Sequence, residues 1–409
     1  MKASLRTARL ELTEPLRISR STMAARDAVW LTIEHEGSYG HGEAVTSLYY
    51  GLDTATLQRH FNDMELSRFA APEDALETLR EGQGGQRGPG GSVGRRGGAV
   101  GLRGRSANGD SMPAAVVAAV EAALLDLVGK RAGVPVHRLL GAPAAPVADT
   151  ARTIGITSPG HAADEARRLA ASGFRIVKVK AGTPDPEDDV ERVRVIRDAA
   201  PGVRLLLDPN GAWNIAQARE LLPRFAELGV EAVEQPVVPG DPESFAALAE
   251  RSPLPLIADE DAVDLEDARR LAGRVHGINV KLAKCGGVHA ALRIAGLIEG
   301  SGTELMLGCL TASTLGIAPA VHLADHARWT DLDGHLLLAR DPWSGIGGAD
   351  GVVRASDRPG LGVQEHGVDE SGAGGNGGNG GNGGDGGDVG IEGIACDEVD
   401  AGGEYEDVA

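Results

Sequence analysis

Six charged residues recur at or near the ends of short apolar segments, and their types suit one chemistry. Lys178 and Lys180 lie in "RIVKVKAG", Asp208 in "LLLDPNGAW", Glu234 in "AVEQP", Asp259 in "IADE" and Lys281 in "INVKLAKCGG". From Lys180 onward they are spaced by 28, 26, 25 and 22 residues, about one strand-helix unit each. Taken singly, each has a plain alternative: outward lysines snorkel between helices, and an acid after a strand caps the next helix. Three acids on successive strand ends are harder to dismiss, because unpaired carboxylates brought together repel. Three hard oxygen donors suit Mg²⁺ or Mn²⁺ and leave positions for water and substrate oxygens. In a closed ring of strands, Lys180 and Lys281 face each other across that cation. Opposed bases remove a proton from one face of a carbon and return one to the other. Lys178 shares a strand face with Lys180, roughly 7 Å away along the chain. It is expected to neutralise a developing enolate oxygen and, with the metal, to lower the Lys180 pKa toward neutrality.

Eight strand-like segments supply the frame. They end near "RTIGI", "RIVKVK", "RLLLD", "AVEQP", "PLIAD", "INVKL", "ELMLG" and "TDLDG", with amphipathic helical stretches between them. Eight is the strand number of a closed parallel barrel, whose active site sits at the C-terminal mouth. An open doubly wound sheet is the alternative, but no Gly-rich phosphate loop follows the first strand. Ahead of these units, "RLELTEPLRISR" and "DAVWLTIEHEGSYGHGEA" read as antiparallel strands with a loop and a turn, and Ala114 to Arg131 as a long helix.

The 409 residues, 42% of them apolar, suffice for one large or two ordinary cores. The net charge of −19 disfavours nonspecific nucleic-acid binding. Residues 371–409 hold nine Asp or Glu and no Lys or Arg, which leaves −10 on the first 370. Two segments lack the apolar groups to offset the entropy of ordering: residues 81–110, rich in Gly and Arg, and the tail from 367 with its "GGNGGNGGNGG" repeat. The arginines have no interleaved aromatic for base stacking, so no nucleic-acid partner is expected. The tail's period of three is not that of a calcium-binding β-helix. The first thirty residues show no charged-then-apolar signal, and Glu121 and Asp126 interrupt the longest apolar run, "MPAAVVAAVEAALLDLV". A cytoplasmic protein without a membrane partner is therefore expected. Cys285, Cys309 and Cys396 have no metal spacing and fit a reducing compartment as bystanders. His322 and His326 stand four apart, a metal-capable spacing, on a helix expected to pack outside the barrel.

The series "KVK", "DPN", "EQP", "ADE" and "NVKLAKCGG" resembles the muconate-lactonizing subgroup of the enolase superfamily, within the mandelate racemase and muconate lactonizing enzyme family. The resemblance covers nearly all of residues 1–366 outside the insertion. It implies an α/β fold, a modified TIM barrel (β/α)7β with an α+β capping domain. The implied divisions are 1–146 for the cap with its 81–110 insertion, 147–340 for the barrel, 341–366 for a return to the cap, and 367–409 for a disordered tail. It also implies Asp208, Glu234 and Asp259 as metal ligands, and Lys180 and Lys281 as acid/base pair with Lys178 beside them.

"TDLDGHLLL" places Asp331 and Asp333 on one strand face, two acceptors for an ammonium or for an ion pair with a barrel lysine. Its "DLDG" resembles the signature of dipeptide epimerases, which implies that the pair holds a substrate's N-terminal amine. "LMLGCLTAS" resembles the seventh-strand segment of Ala-Glu epimerases and adds Cys309 to the implied substrate contacts. In "PLRISRSTMAARD", where those enzymes place a carboxylate-binding arginine, Met23 stands, with Arg20 three residues before it. A dipeptide with an apolar second residue is expected. The leading reading is an isomerase, a Mg²⁺-dependent dipeptide epimerase. Behind it stand cycloisomerase, o-succinylbenzoate synthase or N-acylamino-acid racemase chemistry on the same scaffold, and then a carboxylate-binding protein without turnover. Self-association through the barrel's outer surface is compatible with the sequence.

Overall fold

Period-two patterning divides the second N-terminal strand between two cores. In a three-stranded antiparallel sheet of β1 (Lys2–Ile18), β2 (Ser21–His35) and β3 (Ser38–Val45), Val29, Leu31 and Ile33 point into one apolar cluster, while Ala28 and Trp30 join the larger cluster that runs through the barrel. Two helices follow, α1 (Thr54–Asn62) and α2 (Pro72–Gly82). The long helix α3 (Ala114–Ala132) lies against β3, where glycines permit direct approach. A Cβ at Gly40 or Gly42 would meet the carbonyl oxygen of Ala123 or Ala119 at 2.1 or 2.0 Å. Because α3 is covered on one side by the cap cluster and on the other by the barrel cluster, it is apolar all round. No helix among the described residues is long and apolar enough to cross a membrane. The two acids that interrupt α3 serve the packing: Glu121 accepts from the backbone N–H of Val288 and the ring of His289, and Asp126 from the N–H groups of His41 and Leu361.

The computed structural model describes residues 1–82 and 112–366. The expected insertion and tail, with Cys396, lie outside the described residues, except that Glu81 and Gly82 form the end of α2.

Eight parallel strands form the second sheet, paired in chain order: Ala151–Ile154, Ile176–Lys180, Arg204–Asp208, Val230–Glu234, Leu256–Ala258, Gly277–Lys281, Glu304–Gly308 and Trp329–Asp331. The first and last meet through side chains, Leu332 N–H donating to Thr150 Oγ1 (2.8 Å) and Thr153 N–H to Asp333 Oδ2 (2.7 Å). The fold is the expected capped barrel. Ala151, Ile176, Leu206, Ala232, Ile257, Met306 and Trp329 fill its floor. Two residues further along five of these strands, on the same face, come Lys178, Asp208, Glu234, Asp259 and Asp331. The chemistry therefore stands directly on the apolar floor.

Three local expectations change. "PLRISRSTMAARD" is no loop: β1 and β2 pair up to Ile18↔Ser21, leaving a tight turn at Ser19 and Arg20 over the barrel mouth. Val147–Asp149 pairs with the returning Val352–Arg354 and precedes the barrel proper. The helix before strand eight ends at Val321, so His322 and His326 share no face. His322 is buried, stacked on His137 (centroids 5.6 Å apart), accepting from His137 N–H at Nδ1 and bonding Leu361 O through Nε2; His326 is exposed.

Candidate active site

Consecutive strand ends bring the acids and lysines together as the spacing demands. Lys178, 2% exposed, is the hub: its Nζ lies 2.6 Å from Glu234 Oε2, 2.7 Å from Asp331 Oδ2 and 3.1 Å from Asp208 Oδ2. Lys180 Nζ reaches Asp208 Oδ2 at 2.6 Å. Lys281, from strand six, reaches Asp259 Oδ2 at 2.7 Å and Glu234 Oε1 at 3.8 Å. Strands two and six are four apart in a ring of eight, so Lys180 and Lys281 face each other across the mouth.

Each of the three acids is held by one oxygen and offers the other. Asp208 Oδ1 accepts from Asn210 N–H (2.9 Å), Glu234 Oε1 from Asn279 Nδ2 (2.7 Å), and Asp259 Oδ1 from Lys284 Nζ (2.5 Å). The remaining oxygens, Asp208 Oδ2, Glu234 Oε2 and Asp259 Oδ2, all turn toward the three lysines. This is the donor chemistry of a hard divalent cation, braced from behind and balanced in front by the lysine ammonium groups. Among the described residues no trio of acids, His or Cys is drawn together as a ready metal cluster, because the lysine ammonium groups stand between the carboxylates. Main-chain strain marks the same place. Asn210 and Gln235, next to strand ends three and four, have φ of 50° and 32°, a region costly for side-chain-bearing residues. Gln235 there ties strand four to strand five, its Oε1 accepting from the N–H groups of Asp259 and Asp261.

The electrostatics follow from burial with close pairing. Burial, reinforced by Asp208, pushes the Glu234 carboxyl up to about 7 despite Lys178. Burial would also raise Asp208 and Asp259, yet the neighbouring lysines hold both below the ordinary carboxylate range. Burial opposes charge on Lys178 and Lys281, but their carboxylates hold both ammonium groups above the usual lysine value. Lys178 pairs with three acids at once, Glu234, Asp331 and Asp208, so its charge is compensated within the mouth.

Asp331 and Asp333 do not share a strand face, since the strand ends at Asp331. Asp331 Oδ2 takes the ion pair with Lys178, and its buried Oδ1 has no hydrogen-bond partner among the described residues. Asp333 is tied to strand one by Thr153 N–H and lies 3.5 Å from Arg152 Nη1; burial and Asp331 raise its pKa. Cys309, just past strand seven, stands beside this pair and is no remote bystander. Burial, then Asp331 and Asp333, push its thiol up, so it stays protonated at neutral pH. Arg20, in the hairpin turn, pairs with Glu260 (2.8 Å), donates to Asn210 O (3.0 Å) and covers the Tyr49 ring. It latches the hairpin to strand ends three and five, so its charge is already engaged. Met23 Sδ lies 3.3 and 3.2 Å from Arg26 Nε and Nη2. Sequence reasoning missed Asn279, Glu260, Arg152 and Lys284. Only Lys284 had a visible signal, a second lysine one turn after Lys281 in "KLAK".

Three strand-end carboxylates between opposed lysines, at the mouth of an eight-stranded parallel barrel beside a three-stranded antiparallel sheet, are the arrangement of an enolase-type barrel. Residues 161–366 match the model of the family described as Enolase C-terminal domain-like, and the chain belongs to that family. It is 31% identical over 365 residues to the hydrophobic dipeptide epimerase of Roseobacter litoralis, spanning 88% of this chain and 98% of that one. Its structure matches the dipeptide epimerase from Enterococcus faecalis, solved with Mg and the dipeptide L-Leu-L-Tyr, with a TM-score of 0.78 at 30% identity, covering 89% of this chain and 99% of that one. A substrate-liganded L-Ala-D/L-Glu epimerase from Bacillus subtilis matches with a TM-score of 0.75 at 25% identity, over 89% and 98% of the two chains.

Proposed function

We propose that this protein is a Mg²⁺-dependent dipeptide epimerase, an isomerase that inverts the α-carbon of a dipeptide's C-terminal residue by two-base proton transfer. One observation carries the reading: Lys180 and Lys281 face each other across the mouth, each paired with a strand-end acid, with Glu234 between those acids. Similarity to dipeptide epimerases over nearly all the described chain supports the substrate class.

Asp208, Glu234 and Asp259 would hold the cation; Mg²⁺, or Mn²⁺ in its place, supplies a Lewis acid for the substrate's terminal carboxylate when bound. One lysine, as the free amine, takes the α-proton from its face. The opposite lysine, as the ammonium, delivers a proton to the other face, and the roles exchange for the reverse reaction. Lys178, at the centre of the mouth, opposes the negative charge that develops on the substrate carboxylate. The partnerless Asp331 Oδ1 accepts from the substrate ammonium, with Asp333 adding negative charge beside it and the Cys309 thiol flanking that end.

With Arg20 engaged by Glu260 and Met23 at the hairpin, the second side chain is apolar. A second reading, an acidic residue there, is favoured by Arg26, which bonds Thr46 O and the Met23 sulfur and makes no ion pair among the described residues.

The test is an L,L-dipeptide library incubated with protein and Mg²⁺ in D₂O and read by mass spectrometry. One deuteron should enter dipeptides with apolar second residues and fail to enter once a chelator is added. Exchange confined to acidic second residues selects the Arg26 reading. No exchange in any dipeptide, with metal bound, sinks the epimerase assignment in favour of acyl-amino-acid or cycloisomerase chemistry. Met23→Arg should then shift preference toward acidic dipeptides, and no shift counts against a specificity role for Met23.

A further inference from the structure

A second buried ion pair lies just behind the site and contacts no carboxylate of the mouth. Asp189 and Arg192, on the helix Pro186–Ala199 that follows strand two, are 1% and 2% exposed and paired to each other. Asp189 Oδ2 accepts from Gly182 N–H (2.7 Å) and Thr183 N–H (3.1 Å). Arg192 Nη2 donates to the carbonyl oxygen of Lys180 at 3.1 Å. The pair thus grips the main chain on both sides of Ala181, from the carbonyl of Lys180 to the N–H of Thr183.

The grip sits where the chain has least latitude. Gly182 turns at φ 94°, and a Cβ there would come within 2.5 Å of Ala212 Cβ, 2.8 Å of Ser19 Cβ and 2.9 Å of Pro209 O. Strand two ends at Lys180, whose last ladder partner is Asp208. The next peptide is held from two sides: Ala181 N–H donates to Asp208 O at 3.0 Å on the sheet side, and Arg192 takes the Lys180 carbonyl on the helix side. Burying two charges is costly, and apolar residues of similar volume would pack as well or better. Apolar residues cannot hold the Lys180 carbonyl or the two N–H groups.

We infer that Asp189 and Arg192 are positioning residues that orient Lys180, and so serve one of the two faces of proton transfer and not the other. The inference rests on the reading of Lys180 and Lys281 as the opposed bases. Lys281 has no link to the pair: the fixed groups around it come from Lys284, which bonds Asp259 Oδ1 and the carbonyl oxygens of Asp259, Ala262 and Asn279.

The test is Asp189→Asn combined with Arg192→Met. Asn Oδ1 still accepts from Gly182 and Thr183, no charge is left unpaired, and only the hold on Lys180 is lost. α-Proton exchange in D₂O is followed separately from the L,L and L,D epimers, with Lys180→Ala identifying the epimer Lys180 serves. Exchange from that epimer should fall on the order of 10²-fold, as expected for an ångström-scale misplacement of a reacting group. Exchange from the other epimer should stay at the wild-type rate. A general loss of fold lowers both, so equal falls overturn the inference, as does no fall at all. Arg192→Lys, whose single ammonium can serve both acceptors of Nη2, should restore the rate. If the double variant fails to fold, Arg192→Gln alone decides: a fall confined to the same epimer supports the inference, and equal falls or no fall overturn it. A crystal structure of the variant adds a readout that needs no substrate: Lys180 should be displaced relative to Lys281, and an unmoved Lys180 overturns the inference. Should the wild type exchange no α-proton from any dipeptide, the epimerase reading fails, while this displacement still decides the positioning role.

Discussion

The two lysine-bearing strand ends solve one problem in different ways. Lys281 is followed at once by the short helical turn Leu282–Cys285, and Lys284 of that turn folds back under it with four acceptors, one of them the Asp259 carboxylate. Lys180 is followed by a left-handed glycine turn, and its carbonyl is held by Arg192 from twelve residues further on. Both braces are buried cations, but one grips a proposed metal ligand and the other only main chain. On the sixth strand, base and metal site are mechanically one unit. On the second the lysine still pairs with Asp208, but its brace Arg192 touches no proposed metal ligand, and damage to that brace should be one-sided.

The largest effects come from the lysines themselves. Lys180→Ala and Lys281→Ala should each abolish epimerisation, by up to about 10⁴-fold. Each should leave solvent exchange of the epimer served by the surviving lysine, followed by loss of the α-proton NMR signal. Full epimerisation by either variant would falsify the two-base assignment. Next comes Lys284→Met, which frees Asp259 Oδ1. Mg²⁺ affinity, measured by titration calorimetry, should fall roughly 10–100-fold, as for loss of an outer partner of a metal ligand. Exchange from both epimers should fall together, in contrast to the one-sided loss behind Lys180. Unchanged affinity would erase the distinction between the two strand ends.

A smaller effect tests what the two sides share. Asp331→Asn should raise KM for dipeptides about tenfold with a lesser change in kcat, since a charge-assisted hydrogen bond is worth about 1.5–3 kcal/mol. N-acetylated dipeptides should be poor substrates for the unaltered protein. Equal KM for free and acetylated dipeptides would make Asp331 only a partner for Lys178.

The mildest test should not separate the two sides. Burial lowers the His322 pKa to about 4 from the ordinary 6.5. The unfolded chain therefore binds a proton that the folded chain refuses as pH falls from 6.5 toward 4. The stability present above pH 6.5 is lost through that window, by at most about 3 kcal/mol. Urea melts at pH 7 and pH 5 should show the loss, His322→Gln should flatten it, and a flat profile for the unaltered protein removes His322 from the account.

Much of the site was legible because strands impose a period of two. "IVKVK" had to place Lys178 and Lys180 on one face, and the acids ending strands three, four and five followed at barrel spacing. The hairpin was less legible. The sequence suggests a loop between the two strands, but pairing with β2 resumes at Leu16 after a register shift, a tertiary override of local propensity. Asp333 was placed on a strand because alternation continues past Asp331, whereas the barrel uses Asp333 to close on strand one. The four-residue spacing of His322 and His326 suggests one helix packed outside the barrel, but that helix stops one residue short of His322, which is buried.

What the sequence determined by itself is the order and parity of the reactive groups. Both are local: chain order sets the order of parallel strands around the barrel, and alternation sets inward or outward. What only the tertiary structure decided is which charge answers which. Lys178 meets Asp331 across 153 residues, and Arg20, from the hairpin, meets Glu260 beyond strand five. Those pairings arise from convergence of side chains on the barrel axis, where burial makes each buried charge depend on the partner that reaches it.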